Sequence, residues 1–429
     1  MEIIMITGLM SNDEIRANIK KSIPLPQCRY LESDVGEGAV QIYSLNSSKE
    51  EYEEYCRSIE KEGYALYTAN IMNKTLCATY CNGEVVINVV FGGDTDRSLR
   101  IVAEPLSRTR LQMLEKPADA EARITASSIS MVDHWADRTG NRWGRDGNLC
   151  LVIRLSNGHF IVVDGNHNAL ADRNPSEMIF DHLLELAEGS KPIIDAWILT
   201  HYHQDHIGGF IDFCNNEDFL AKAKIGSVIY SFPNEKILYK TTENSVTDRK
   251  NIELFYSSLK ERMTQNGTVF YQARTGQKYY FGNSEIEILW TFEDIAPHNE
   301  ELEMRTNGTS IGFTVTIEGQ KIMITGDSST EEFKFAEIRY GSYLKSDFVQ
   351  LSHHGYGDGS VEHDFYKMVD APYVINSGLG VDYGYGKGER WAKENAIVYI
   401  LREACGTCVV PLPYDGGKFK SAIPLYRIF

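Results

Sequence analysis

Short apolar runs, broken by turn residues and polar amphipathic stretches, run the length of the chain, and their texture changes near residue 129. Ahead of that point the pattern writes a small α+β unit. Ser11 with Glu14 makes a capping box before a short amphipathic helix that ends ahead of Pro24. A second helix opens at Ser48 with Glu51 three residues on, and stops at Gly63. Strand-like runs then follow at 64–72, 75–81, 84–91 and 98–104. Asn73-Lys74, Asn82-Gly83 and Gly92-Gly93-Asp94 punctuate them as tight turns. A helical start followed by an antiparallel meander is the expectation for residues 1–115. Residues 116–128, with Pro117 and several Ala, read as a connector.

From 129 to 429 short apolar strands alternate with polar helices. Runs 151–155 and 159–163 flank Asn157-Gly158, a hairpin signal. Asn174-Pro175 opens a helix that closes at Gly189. A buried strand is expected at 193–199 and a long helix at 247–266. Paired strands are expected at 309–317 and 321–325 about Gly319, with a further strand at 347–352. Two series of strands with helices between them predict an α/β unit of two sheets, each covered by helices on its outer face.

Composition narrows the class. The chain has 429 residues, 42% of them hydrophobic, and a net charge of −17. That supports a sizeable core and excludes disorder, collagen and coiled coil as overall descriptions. The acidic balance disfavours long nucleic acid as a default partner, because phosphates need a positive surface. No stretch reaches the 18 or so apolar residues of a membrane span, and Met1–Met10 has no basic segment of a secretory signal. Eight scattered cysteines suggest reduced thiols and a cytoplasmic setting. Cys405 and Cys408 form a lone CxxC, read as thiols at a helix-to-strand passage. Tyr43, Tyr52, Tyr55, Tyr64 and Tyr67 cluster in the first unit, where they suit packing or a homo-oligomer contact.

The chemistry concentrates in His201-Tyr202-His203-Gln204-Asp205-His206. It follows the strand candidate at 193–199, and residues i and i+2 of an extended stretch point the same way. His201 and His203 can therefore face one cation, while the turn through Asp205 swings Asp205 and His206 toward a second. Imidazole with carboxylate suits Zn²⁺, and also Mn²⁺ or Fe. Gly208-Gly209 is expected to keep the following helix start slim. Downstream, Asp327 ends a buried strand where it can bridge two cations, and His353-His354-Gly355 ends another. Tyr385, Lys387 and Arg390 lie in a glycine-rich segment that can reach an anion. His159, His167 and His182 read as structural.

These pieces together resemble the metallo-β-lactamase superfamily over residues 129–429: the HxHxDH run, Gly326-Asp327, His353-His354-Gly355 and the strand ending Val163-Asp164-Gly165. Within it the chain resembles the hydrolase domain attached to competence proteins of the ComEC type. Gly147-Asn148, His206-Ile207-Gly208-Gly209, Asn307 to Ser310 and the two downstream motifs carry that likeness. The resemblance implies a four-layer αββα sandwich with a smaller N-terminal α+β domain, and a dinuclear zinc hydrolase. It implies that His201 and His203 hold the first metal, Asp205, His206 and His354 the second, with Asp327 between them. Asp164 then orients the His-rich loop from behind, and His353 lies near the leaving group. Many members place a further His before the strand leading to the bridging Asp. Here Asn307 stands roughly there, with His298 nearby, and either can complete the first metal site. A redox diiron enzyme would place an acidic residue where His203 stands.

The functional expectation is a hydrolase that uses a metal-activated hydroxide on a small or medium anionic ester, a phosphodiester first. Asp205 would ligate and orient the nucleophile, and His353 would act as general acid. Asn307, Ser310, Tyr385, Lys387 and Arg390 are the candidate substrate contacts. The alternatives are a lactonase or thioesterase on the same scaffold, and a catalytically degenerate metal-binding or regulatory module.

Overall fold

The computed structural model describes residues 11–132, 148–167, 174–233, 246–295, 306–355, 363–377, 391, 395, 398–401 and 407–421. The two capping boxes start their helices as read, Asn12–Ser22 after Ser11 and Lys49–Lys61 after Ser48. Behind them lies a six-stranded antiparallel sheet. Its order is Leu31–Asp34, Val40–Ser44, Leu99–Pro105, Val85–Phe91, Thr75–Cys81, Ala65–Met72. The last four strands are the expected meander. The first two lie between the two helices, where the sequence carries no strand signal, because Leu31–Asp34 has one apolar residue in four.

Alternation decides what each face of this sheet meets. Ile42, Ile87, Val89, Leu99 and Ile101 pack under Ile15, Ile19, Tyr55 and Ile59 of the two helices. The other face carries Cys77, Val90, Arg100 and Glu104, and turns toward the rest of the chain. Its apolar members join Trp290, Tyr340 and Leu289. Its charged members enter a buried network. Arg100 lies 3.0 Å from Asp294, Arg274 lies 2.8 Å from Glu104 and also pairs with Glu293, and Arg339 reaches Asp294 at 2.9 Å and Asp96 at 2.5 Å. Desolvating these charges is costly, and their mutual pairing offsets it.

The larger part is a sandwich. One sheet runs Val269–Gln272, Ser227–Tyr230, Ile193–Leu199, Phe160–Val163, Leu151–Arg154, Ser127–Met131, Cys408–Leu412, Lys420–Ser421, with Lys224–Ile225 also paired to Ile193–Leu199. The second runs Lys278–Phe281, Ser284–Trp290, Gly312–Ile317, Gln320–Ile324, Phe348–Gln350, Tyr373–Asn376, Val398–Leu401. Their facing sides share one apolar core that includes Leu151, Ile161, Ile198, Ile288, Phe313 and Ile324. Helices Pro175–Leu186, Gln204–Asn215 and Val246–Leu254 cover the outside of the first sheet. Helices Thr330–Tyr340 and His363–Val369 cover the outside of the second. This is the helix–sheet–sheet–helix layering expected from the alternation of elements. No helix among the described residues is long and apolar enough to cross a membrane.

Three local departures have physical causes. The segment read as a connector ends in a strand, Ser127–Met131, which pairs with both Leu151–Arg154 and Cys408–Leu412. The helix expected at 247–266 is broken by a π turn, Phe255–Leu259, which aims Phe255 and Leu259 into the core. The strand expected from Thr309 begins at Gly312, because Thr306–Thr309 forms a 3₁₀ turn.

Candidate metal centre

Parallel pairing brings the chemistry to one edge. Phe160–Val163, Ile193–Leu199 and Ser227–Tyr230 run parallel in the first sheet, and Gln320–Ile324, Phe348–Gln350 and Tyr373–Asn376 in the second. Ligand crevices in α/β sheets open outside the carboxyl ends of such strands. Asp164, His201, Asp327, His353 and Ser377 each lie one to three residues beyond such an end. A backbone bond from Ile311 N to Thr200 O, 2.9 Å, ties the two sheets together there.

The residues read as ligands converge in two sets. Asp205, His206, Asp327 and His354 each offer one atom within 4.8 Å of the others, and so do His201, His203 and Asp327. Asp327 is common to both. Its Oδ1 lies 3.2 Å from His206 Nε2, and its Oδ2 lies 3.4 Å from His354 Nε2 and 3.9 Å from His201 Nε2. His354 Nε2 is 3.1 Å from Asp205 Oδ2.

Each side chain is aimed from behind. Asp164, wholly buried, accepts from Thr200 N at 2.8 Å, Thr200 Oγ1 at 2.7 Å and His206 Nδ1 at 2.7 Å. That contact turns His206 Nε2 toward the cluster. His354 Nδ1 meets Ser377 Oγ at 2.9 Å, which turns its Nε2 inward likewise. Asp327 N–H donates to Ser310 Oγ at 3.1 Å, so Ser310, fully buried, lies beneath the ligand. Ser328, the next residue, accepts from Trp290 Nε1 at 3.2 Å through its hydroxyl. His353 (φ 49°) and His354 (φ 55°) both adopt the left-handed region that non-glycine residues avoid. Such strain, about 1–3 kcal/mol per residue, persists only where the surroundings over-determine it. Here His353 N–H donates to Gly326 O at 3.2 Å, and a Cβ on Gly355 would crowd Asn376.

Gly209 keeps the helix start slim, as expected, and the neighbour it makes room for is backbone. It lets the helix approach the Asp164 turn, where Gly165 N–H donates to His206 O at 2.6 Å and Gly209 N–H to Asn166 O at 3.0 Å. Any Cβ on Gly209 would strike Gly165 O.

The electrostatics call for positive charge. Burial works against ionising Asp327 and Asp205, yet His206 and His354 outweigh it and hold both carboxyls below the usual range. Burial also works against protonating His206, but Asp327, Asp164 and Asp205 push it well above an ordinary imidazole. His201 goes the other way, lowered by burial and by neighbouring His206. Burial raises Asp164 above the ordinary carboxyl, with His206 and Thr200 opposing.

The residues fit divalent cations. His201 Nε2 faces His203 Nδ1 at 3.0 Å, and His206 Nε2 faces His354 Nε2 at 3.3 Å. Ring nitrogens in such pairs present lone pairs to one point, with at most one proton between them. Asp327 Oδ1 is buried without a hydrogen bond. Nitrogen and carboxylate oxygen together suit borderline transition metals.

Of the remaining candidates, Asn307 is nearly buried on the 3₁₀ turn. Its Nδ2 lies 3.4 Å from His353 Nε2, and its Oδ1 has no hydrogen bond. His298, Tyr385, Lys387 and Arg390 fall outside the described residues, as does Cys405 of the CxxC. His159 pairs with Asp195 at 3.0 Å, and neither it, His167 nor His182 belongs to either ligand set. Sequence reasoning missed Thr200 and Ser377. Both are polar residues directly after an apolar strand, a signal open to reading. It also missed Gln350, buried at the end of strand Phe348–Gln350, which accepts from Thr325 N at 2.9 Å and donates to Gly326 O at 3.0 Å.

A family model described as the metallo-beta-lactamase superfamily matches residues 143–368. Among solved structures the chain is similar to CmlA, a diiron beta-hydroxylase from Streptomyces venezuelae. The identity is 12% and the TM-score 0.37, over 67% of this chain and 54% of that one. A mutant of the CmlA beta-hydroxylase gives 13% and 0.37 over the same shares. A Cronobacter sakazakii (Enterobacter sakazakii) metallo-beta-lactamase with a HARLDQ motif gives 13% and 0.27, over 47% of this chain and 66% of that one. The chain thus spans about half the length of the CmlA chains. Comparison with curated protein sequences gives no match.

Proposed function

The chain belongs to the metallo-beta-lactamase superfamily, and from that premise we propose that it is a metal-dependent hydrolase of a small or medium anionic ester, a phosphodiester first. The observation that carries the reading is the pair of ligand sets sharing Asp327. The phosphodiester rests on the likeness to the competence-protein hydrolases in Asn148, His206–Gly209, Asn307–Ser310, Gly326-Asp327 and His353–Gly355. The −17 charge favours a short substrate over a long polyanion.

In this reading His201, His203 and Asp327 hold one zinc, and Asp205, His206, His354 and Asp327 a second, with Mn²⁺ or Fe as the other metals of suitable chemistry. Bound there, the cations supply Lewis acidity, lowering the pKa of a water and drawing charge from the attacked centre. Asp164 keeps the proton of His206 on Nδ1, so Nε2 remains a ligand atom. Asp205, whose side chain is 18% exposed, is the most open of the carboxylates and orients the attacking water by accepting a hydrogen bond from it. His353 protonates the leaving oxygen, steadied by Asn307. Lys387, Arg390 and Tyr385 grip the anion.

The test is elemental analysis of the purified, zinc-loaded chain, followed by turnover of bis(p-nitrophenyl) phosphate, a lactone and a thioester. Between one and two metal equivalents and a preference for the phosphodiester are expected. Turnover of the lactone or thioester alone moves the chain to that chemistry. Failure to take up metal leaves only the non-catalytic scaffold.

A further inference from the structure

The helix that carries Asp205 and His206 begins without a cap of its own. Its N-cap is His203, which makes no side-chain capping bond. A ligand position has displaced the Ser, Thr, Asp or Asn that would normally satisfy the first amides. The Gln204 amide, set between the ligand candidates His203 and Asp205, instead donates to Asp248 Oδ1 at 2.7 Å. Asp248 is buried near the start of the helix Val246–Leu254. Ile252 of that helix shares a core with Ile207 and Phe210 of the ligand-bearing helix, so the carboxylate sits on a rigid support. A carboxylate at a helix N-terminus is favoured by the dipole, and a charge-assisted bond of this length is a strong one.

We propose that Asp248 is a positioning residue, a helix cap supplied from 44 residues away, which fixes the His203–His206 turn and so sets how tightly the centre retains metal. The proposal rests on the metal-centre reading above. It differs from a mere tether between two helices, which would change stability and leave the metal sites alone.

The test uses the full chain with Co²⁺, whose visible bands report coordination, and zinc affinity measured by competition with a chromophoric chelator. Asp248→Ala is expected to weaken zinc about ten- to a hundredfold, the range for residues that support metal ligands, and to alter the Co²⁺ spectrum. Asp248→Asn, which keeps an acceptor at Oδ1, should restore both. Gln204→Pro gives an independent arm that leaves Asp248 intact. It deletes the donor at the first helical position, where proline is tolerated, and His203 (φ −60°, ψ 147°) already has the backbone that precedes a proline. It should mimic Asp248→Ala. Wild-type spectrum and affinity in Gln204→Pro, or an Asn variant as weak as the Ala one, overturns the proposal. A wild-type chain that takes up no Co²⁺ or Zn²⁺ overturns the metal reading itself.

Discussion

Asp164→Asn changes one atom of a buried, volume-conserved side chain and isolates a single effect. The carboxylate now accepts three bonds, from Thr200 N, Thr200 Oγ1 and His206 Nδ1. Asparagine keeps one oxygen, enough for the Thr200 amide. Its NH₂ then faces His206 Nδ1, which must give up its proton to accept. The proton moves to Nε2, the atom that points at Asp327 and His354. One ligand atom is thereby blocked without any cavity being opened. A hydrogen bond to a charged partner contributes about 1.5–3 kcal/mol. At about 1.4 kcal/mol per tenfold, the zinc dissociation constant should rise roughly 10- to 100-fold, the range seen for groups that orient metal ligands. Competition with a chromophoric chelator measures it, circular dichroism checks the fold, and histidine ring ¹⁵N shifts read the tautomer. A folded variant that binds zinc within about threefold of wild type, or that keeps the Nδ1–H tautomer, would refute the reasoning.

Further outcomes follow from the same geometry. His206→Ala removes an atom from the set around Asp327 and should leave less than one metal equivalent after loading, read by elemental analysis. In the metal-free chain, Asp205 and Asp327 have lowered pKa values, so their stabilisation is present above about 3.8 and lost as pH falls through the folded values. His206 has a raised pKa, so its contribution is full below about 6.5 and lost as pH rises through its folded value. The melting temperature of metal-free protein should therefore drop on the alkaline side while zinc-loaded protein holds, and zinc uptake should release protons; equal pH profiles would contradict this. Arg339→Met strips a partner from buried Asp294 and should cost about 3–5 kcal/mol in chemical denaturation. Gly312→Ala puts a Cβ into the Trp290 indole, displacing it from Ser328 at a cost of about 1–3 kcal/mol.

Much of this was legible in the chain. Apolar runs ending in His201, Asp327 and His353 mark strand tips, because a buried strand must be continuously apolar and a ligand must sit just past its end. The capping boxes at Ser11 and Ser48 and the turn at Asn157-Gly158 are local signals, and each produced its element. What could not be read depends on long-range pairing. Asp248 is one polar residue near a helix start until the fold brings it to Gln204. Arg100, Arg274 and Arg339 look like solvated surface charges, and only the packing of the six-stranded sheet on the sandwich gives them buried carboxylates. Ser127–Met131 was hidden for the same reason, since its partner strand Cys408–Leu412 comes almost from the other end of the chain.

The arginine–carboxylate network has a practical consequence for anyone tempted to trim the chain to its family-matched span, 143–368. Cutting there discards Asp96, Arg100 and Glu104 but keeps Arg274, Arg339, Glu293 and Asp294, so a buried seam of charges loses part of its pairing and opens to solvent. It also strips the neighbour from strand Leu151–Arg154, leaving a raw edge free to stick to other molecules. The shortened fragment should precipitate or assemble edge to edge rather than report on catalysis.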